Sequence, residues 1–249
     1  MSEQLRLYAL KAVVTGAADG IGEAIARTLV KQGAEVVAVD TPESGVESVF
    51  GKLRGISACA IDLQAQATPE TLANTVRNRL NGLDILVNNF FSVAQSASEG
   101  EAGRKQELEA WLDRIGSNAR ALLPLLRKSP AGRIINIGSL RSSFGRDGEA
   151  DFAASQQALA ELTAAQAAEY GAFGITANYV QPGAIMTPDS REIFEADKSF
   201  RDYCIARSAA KRLGEPVDVA KVALFLASDD SVFVSGTGII ADGGRADPA

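Results

Sequence analysis

Thr15-Gly16-Ala17-Ala18-Asp19-Gly20-Ile21-Gly22 follows the apolar run Lys11-Ala12-Val13-Val14 and opens into a helix-period segment, Ile21 to Gln32, stopped by Gly33. Strand, glycine-bearing turn and helix in immediate succession decide the fold. Glycine is required in such a turn because the backbone must bend tightly and approach a ligand with no Cβ in the way. The helix start behind it leaves free N–H groups and a partial positive charge, which together cradle phosphate. The next strand, Glu35-Val36-Val37-Ala38-Val39, ends in Asp40. A carboxylate there accepts hydrogen bonds from ribose hydroxyls and repels a 2′-phosphate, so the expected dinucleotide is NAD. A solvated strand-end acid is the bland alternative for Asp40.

Further strands follow the same pattern outward. Ala58-Cys59-Ala60-Ile61 reads as the third, Asp84-Ile85-Leu86-Val87 as the fourth and Arg133-Ile134-Ile135-Asn136-Ile137 as the fifth. Ile175 to Val180 is the sixth and Gly238-Ile239-Ile240-Ala241 the seventh. Between them lie helical segments: one from Thr68-Pro69, with Thr68 as N-cap and Leu72, Val76 and Leu80 as its stripe, one within Leu108 to Arg127, Phe152 to Tyr170, and Pro216 to Ala227. Strands apolar on both faces and separated by helices predict a Rossmann-type, doubly wound α/β fold. Its parallel sheet has about seven strands and is covered on both faces. No linker or repeat divides the chain, so residues 1–249 are expected to form one domain with a variable lid near 188–210.

Composition narrows the chemistry. Hydrophobic residues make up 46% and charged residues 22%, an ordinary globular balance, and the net charge of −6 is spread without a basic stripe, which argues against nucleic acid. The chain has no histidine, and its two cysteines, Cys59 and Cys204, lie far apart in no metal-ligand spacing. That removes Ser-His and Cys-His catalysis and leaves no expected metal site. No secretory signal or membrane-spanning run is visible, so the expectation is a soluble cytoplasmic protein.

The ordered motifs resemble the short-chain dehydrogenase/reductase family over nearly the whole chain. Thr15 to Gly22 is similar to its Thr-Gly-x-x-x-Gly-x-Gly loop, and Asn88-Asn89 begins its Asn-Asn-Ala-Gly segment. Pro182-Gly183 with Thr187 matches its Pro-Gly-x-x-x-Thr turn, and Gly236 to Gly244 its last strand and Asp-Gly-Gly ending. The resemblance implies that Thr15, Gly16, Gly20, Ile21, Gly22 and Asp40 contact NAD, with Asp62 and Leu63 at the adenine. It further implies roles for Asn88 near the cofactor, for Pro182, Gly183 and Thr187 at the nicotinamide, for Asn118 in ordering a relay water and for Ser139 as the catalytic serine.

Three departures stand against that pattern. The family carries Tyr thirteen residues after the serine and Lys four further on; here these are Phe152 and Gln156. In the family the Tyr hydroxyl moves the substrate proton, while the Lys cation lowers the Tyr pKa and binds the nicotinamide ribose. Phe has no such proton and Gln no charge, and loss of a positioned acid/base costs roughly 10²–10⁴-fold in rate. Gln156 retains the capacity to hydrogen-bond the ribose. Third, Phe90-Phe91 replace the small Ala-Gly pair, with partial occlusion of the cofactor cleft as the expected effect and an outward-turned loop as the alternative.

Among substitutes for the missing acid, Ser139 lacks a neighbouring base, Tyr170 is at the far end of its helix, Tyr179 reads as core, and Tyr203 in the lid segment is the remaining tyrosine candidate. Asp151 reads as a helix-start residue. The leading expectation is therefore a non-catalytic subunit that pairs with an active paralogue in a hetero-oligomeric, NAD-dependent secondary-alcohol dehydrogenase, of hydroxyacyl type by family analogy. The small residues Ala153, Ala154, Ala158, Ala160, Ala164, Ala165, Ala167 and Ala168 suit the close helix pairing by which the family forms dimers. Two alternatives stay open: a self-sufficient oxidoreductase with an unusual acid, and an NAD(H)-sensing binding protein.

Overall fold

Continuous apolar runs become the central strands because both faces of a parallel sheet are buried. The computed structural model describes residues 5–51, 53–89, 100–139 and 149–245, the side chains of 100–104 and 149–152 excepted. In chain order the elements are β1 (Lys11–Thr15), α1 (Gly20–Lys31), β2 (Glu35–Asp40), α2 (Val46–Phe50), β3 (Ile56–Ala60), α3 (Thr68–Leu80), β4 (Ile85–Asn88) and α4 (Gly100–Leu126). There follow β5 (Arg133–Ile137), α5 (Glu149–Tyr170), β6 (Thr176–Pro182), α6 (Pro188–Ala196), α7 (Lys198–Arg207), α8 (Pro216–Ala227) and β7 (Gly238–Ala241). The seven strands form one parallel sheet in the order β3-β2-β1-β4-β5-β6-β7, a Rossmann-type α/β fold.

Alternate residues of each strand serve opposite layers. Val36 and Ala38 of β2 pack with Ile25 and Leu29 of α1 and with Ala220 and Leu224 of α8. Val37 and Val39 pack on the other face with Leu72 and Val76 of α3 and Leu122 and Leu126 of α4. Each such buried Val or Leu is worth about 1.5–3 kcal/mol relative to exposure. The strand order reverses between β1 and β4, which pair in register Val13 to Leu86. A reversal of this kind opens a crevice at the carboxyl ends of the strands.

Four local readings differ from the sequence expectation. The third strand is Ile56–Ala60 rather than 58–61, because an edge strand is only half covered and its apolar pattern is weak. Thr68 is the first residue of α3 and Ala67 its N-cap; the Thr68 hydroxyl instead donates to the carbonyls of Asp62 (2.5 Å) and Ala65 (2.6 Å). The lid segment is two helices, α6 and α7, each started by a side-chain cap from Thr187 and Asp197. The short helix α2 was not foreseen. Among the described residues, no helix is long and apolar enough to cross a membrane.

Candidate functional site

At the carboxyl edge of the sheet, the ends of β1, β5 and β6 and the lid helices enclose a cleft of about 490 Å³. Its floor is the glycine-bearing loop. Gly20 holds φ +51°, the left-handed region that disfavours any side chain. Gly22 is needed for a different reason: a Cβ there would lie 1.8 Å from the Gly16 carbonyl oxygen and 2.6 Å from Asn89 Nδ2. The loop is held from both sides. Asp40 Oδ2 accepts from the Ala18 N–H at 2.8 Å, and Asn89 Nδ2 donates to the Gly16 carbonyl at 2.8 Å. The backbone N–H of Asn89 also donates to Thr15 Oγ1 at 3.1 Å. Because α1 begins at Gly20, the first-turn N–H groups that a helix leaves without internal acceptors open on this cleft.

Gly16, Gly20, Ile21, Asp40, Ser139, Pro182, Gly183 and Thr187 all line this cleft, so the fold gathers most of the residues named from sequence. Thr15 and Gly22 lie just beneath, bracing the loop. Asp62 and Leu63 are not among the lining residues. Asp62 Oδ1 instead accepts from the N–H groups of Gln64 (2.8 Å) and Ala65 (3.2 Å), closing a turn, and Leu63 is core.

Asn88 and Asn118 are also below the surface of the cleft, in a buried amide network. Asn88 Nδ2 donates to Asn136 Oδ1 at 2.9 Å, and Asn136 Nδ2 donates to Thr163 Oγ1 and Gln166 Oε1, both at 3.0 Å. Asn118 Nδ2 reaches Asn88 Oδ1 at 3.4 Å, while Asn118 Oδ1 is buried without a protein partner among the described residues. A buried orphan acceptor of this kind calls for a bound water.

Gln156 is 4% exposed and is not among the residues that line the cleft; its carbonyl oxygen accepts from the Ser139 N–H at 2.8 Å, and its Nε2 donates to Ser155 Oγ at 3.4 Å. Phe152 lies in α5, its side chain outside the described residues, as are Phe90 and Phe91 altogether. Tyr203 is 42% exposed with the Arg207 guanidinium over its ring at 5.6 Å, and Tyr170 is packed in the core; neither lines the cleft. Tyr179 packs against the Trp111, Ile115 and Leu159 cluster, as its strand position suggested.

Sequence reasoning missed the lid wall. Ile193, Phe194, Phe200 and Cys204 line one side of the cleft, with the Phe194 and Phe200 rings stacked at 5.8 Å. Asp189, in the first turn of α6, joins Asp19 and Asp40 in the lining. Partial burial, then the carboxylates of Asp189, Asp40 and Glu23, hold the Asp19 carboxyl above its ordinary range; its side chain is still open to solvent, which screens the effect. Among the described residues, no group of His, Cys, Asp and Glu is arranged to hold a metal ion.

The cradle fits a dinucleotide: a loop without Cβ atoms where a pyrophosphate approaches, amide donors behind it and an acid at the end of β2. Comparison with known proteins agrees. The profile of the family described as enoyl-(acyl carrier protein) reductase matches residues 16–246. The chain is 33% identical over 242 residues to the 3-oxoacyl-(acyl-carrier-protein) reductase FabG of Haemophilus influenzae, covering 94% of this chain and 96% of the relative. It is 35% identical over 245 residues to the enzyme of that name from Pseudomonas aeruginosa, at the same coverage of 94% and 96%. Among solved structures, a candidate NAD(P)-dependent gluconate 5-dehydrogenase from Beutenbergia cavernae, with NADP bound at low occupancy, superposes with a TM-score of 0.85 at 31% identity, over 97% of this chain and 98% of that one. From motif order, sheet topology and these matches together, the chain belongs to the short-chain dehydrogenase/reductase family of oxidoreductases.

Proposed function

We propose that this chain is the NAD-binding, non-catalytic subunit of a hetero-oligomeric secondary-alcohol dehydrogenase whose active partner shares the fold. The observation that carries the reading is Gln156. Where the family places a cation beside the cofactor, a neutral amide is buried against the Ser139 backbone, and Phe152 stands at the proton-donor position. Bound NAD would supply hydride transfer. This chain's residues would bind and orient it through the loop from Gly16 to Gly22, with Asp40 favouring NAD over NADP, and would have no dyad to move the substrate proton. The acyl-carrier relatives and the wall of Ile193, Phe194 and Phe200 support a hydroxyacyl or oxoacyl substrate for the assembly.

Turnover measured with the purified chain alone, on short oxoacyl thioesters with NADH, tests this. We expect saturable NADH binding without turnover, and turnover only when the paralogue is added. A homo-oligomer that turns over by itself overturns the assignment. One observation favours a second reading, a self-sufficient oxidoreductase: Ser139 lines an open cleft that retains a substrate wall. On that reading the isolated chain is active and Ser139→Ala abolishes the activity.

A further inference from the structure

NAD+ and NADH differ only at the nicotinamide ring, a cationic pyridinium in one and a neutral dihydropyridine, richer by one hydride, in the other. Contacts to the adenosine and the diphosphate therefore largely cancel in the ratio of their affinities, and what remains is the electrostatic potential where the ring sits. Resting on the reading above that this cleft binds NAD, we propose that Asp189, assisted by Asp19, makes the cleft select the oxidised cofactor, whose ring is cationic, over the reduced one.

The charges on the page favour that sign. Asp19, Asp40 and Asp189 line the cleft, and its described lining contains no Lys or Arg. Asp189 stands two residues beyond Thr187, whose side chain caps α6 by accepting from the Ser190 N–H at 3.2 Å. Gly183 and Thr187, which the family resemblance puts at the nicotinamide, line the same cleft as Asp189. The start of α6 closes directly on the loop: a Cβ at Gly20 would lie 3.1 Å from Thr187 Cγ2. Asp189 and Asp19 thus approach from two elements, near enough for the Asp189 charge to oppose ionisation of Asp19.

Among the described residues, opposing contributions are smaller. The N-termini of α1 and α6 each present roughly half a positive charge. Against them stand three carboxylates, of which Asp40, at the adenosine end, acts weakly on the ring. Gln156 adds no charge. The Phe194 and Phe200 wall keeps water from one side of the cleft, which lowers the local screening.

Calorimetric titrations of the purified full chain with NAD+ and NADH, in low-salt buffer at pH 7.5, read the ratio of the two dissociation constants. The expected result is tighter binding of NAD+, and a narrowing of the ratio by about fivefold in Asp189→Asn, the order of one removed charge at intermediate screening. Asp202→Asn, an exposed lid carboxylate paired with Arg201, controls for net charge and should leave the ratio unchanged. Tighter NADH binding by the parent chain, or a ratio indifferent to Asp189→Asn, overturns the inference while leaving the cofactor reading intact. Binding of neither form overturns both.

Discussion

At the scale of single residues, the glycine-bearing loop is held by contacts that residue type alone makes only half visible. Gly22→Ala would drive a Cβ into the Gly16 carbonyl. Overpacking of this kind costs about 1–3 kcal/mol, so a fall in the thermal midpoint together with loss of NADH binding is the expected outcome. Asp40→Asn separates two roles of that residue. Its side-chain oxygen can still accept the Ala18 N–H at the expense of the Thr41 N–H, which Asp40 Oδ1 accepts at 2.7 Å, whereas the negative charge facing a 2′-phosphate is gone. The variant should therefore stay folded and bind NADPH about tenfold more tightly than the parent, measured against NADH as reference. The charge role was read from strand, loop and spacing; the Ala18 contact shows only in the structure. The direction of Gln156 was not legible beforehand either. Sequence gives an amide's hydrogen-bonding capacity but not its partner, and here the Ser139 N–H, left at the end of β5, takes the carbonyl oxygen while Nε2 lies against Ser155 Oγ.

Among the elements, legibility tracks how strongly burial imprints a period. The strands of the sheet interior are covered on both faces and read as unbroken apolar runs such as Val36 to Val39. The lid helices carry no such imprint: Phe194 is the one buried residue of α6 and Cys204 that of α7. Their start signals were present all the same. Thr187-Pro188 with Ser190 forms a capping box in which Ser replaces the usual acidic or amide partner, and Asp197 caps α7 by accepting from the Phe200 N–H at 2.8 Å. Thr187→Val removes the side-chain acceptor for the Ser190 N–H, at a cost of about 1 kcal/mol confined to α6. Hydrogen exchange should quicken through 188–196 while the sheet amides keep their protection; uniform loss of protection would mean that the cap supports the whole fold. The buried chain of Asn88, Asn136 and Thr163 was equally hidden, because it joins β4, β5 and α5 across positions distant in sequence.

For the whole molecule, the question is what covers the apolar groups that the isolated chain leaves in water. Phe233 is fully exposed, Val232 is 65% exposed and Ile240, on the edge strand β7, is 58% exposed. Val217, at the start of α8, is 45% exposed. Singly, exposed apolar residues mean little, but an edge strand flanked by them offers both unpaired backbone groups and area for burial. These residues sit on the last helix, the last strand and the connection between them, which makes that surface a candidate for a subunit contact separate from α5. Phe233→Asp tests that candidate cleanly, because a side chain with no core contact to lose should leave the unfolding midpoint within about 0.5 kcal/mol of the parent. Light scattering coupled to size exclusion should then show a smaller particle than the parent chain gives, alone or mixed with its paralogue. If the particle size is unchanged in both preparations, the surface of α8 and β7 is not the contact. Assembly would then have to run through the Ala-rich face of α5, where Ala154→Glu and Ala165→Glu would be the substitutions that break it.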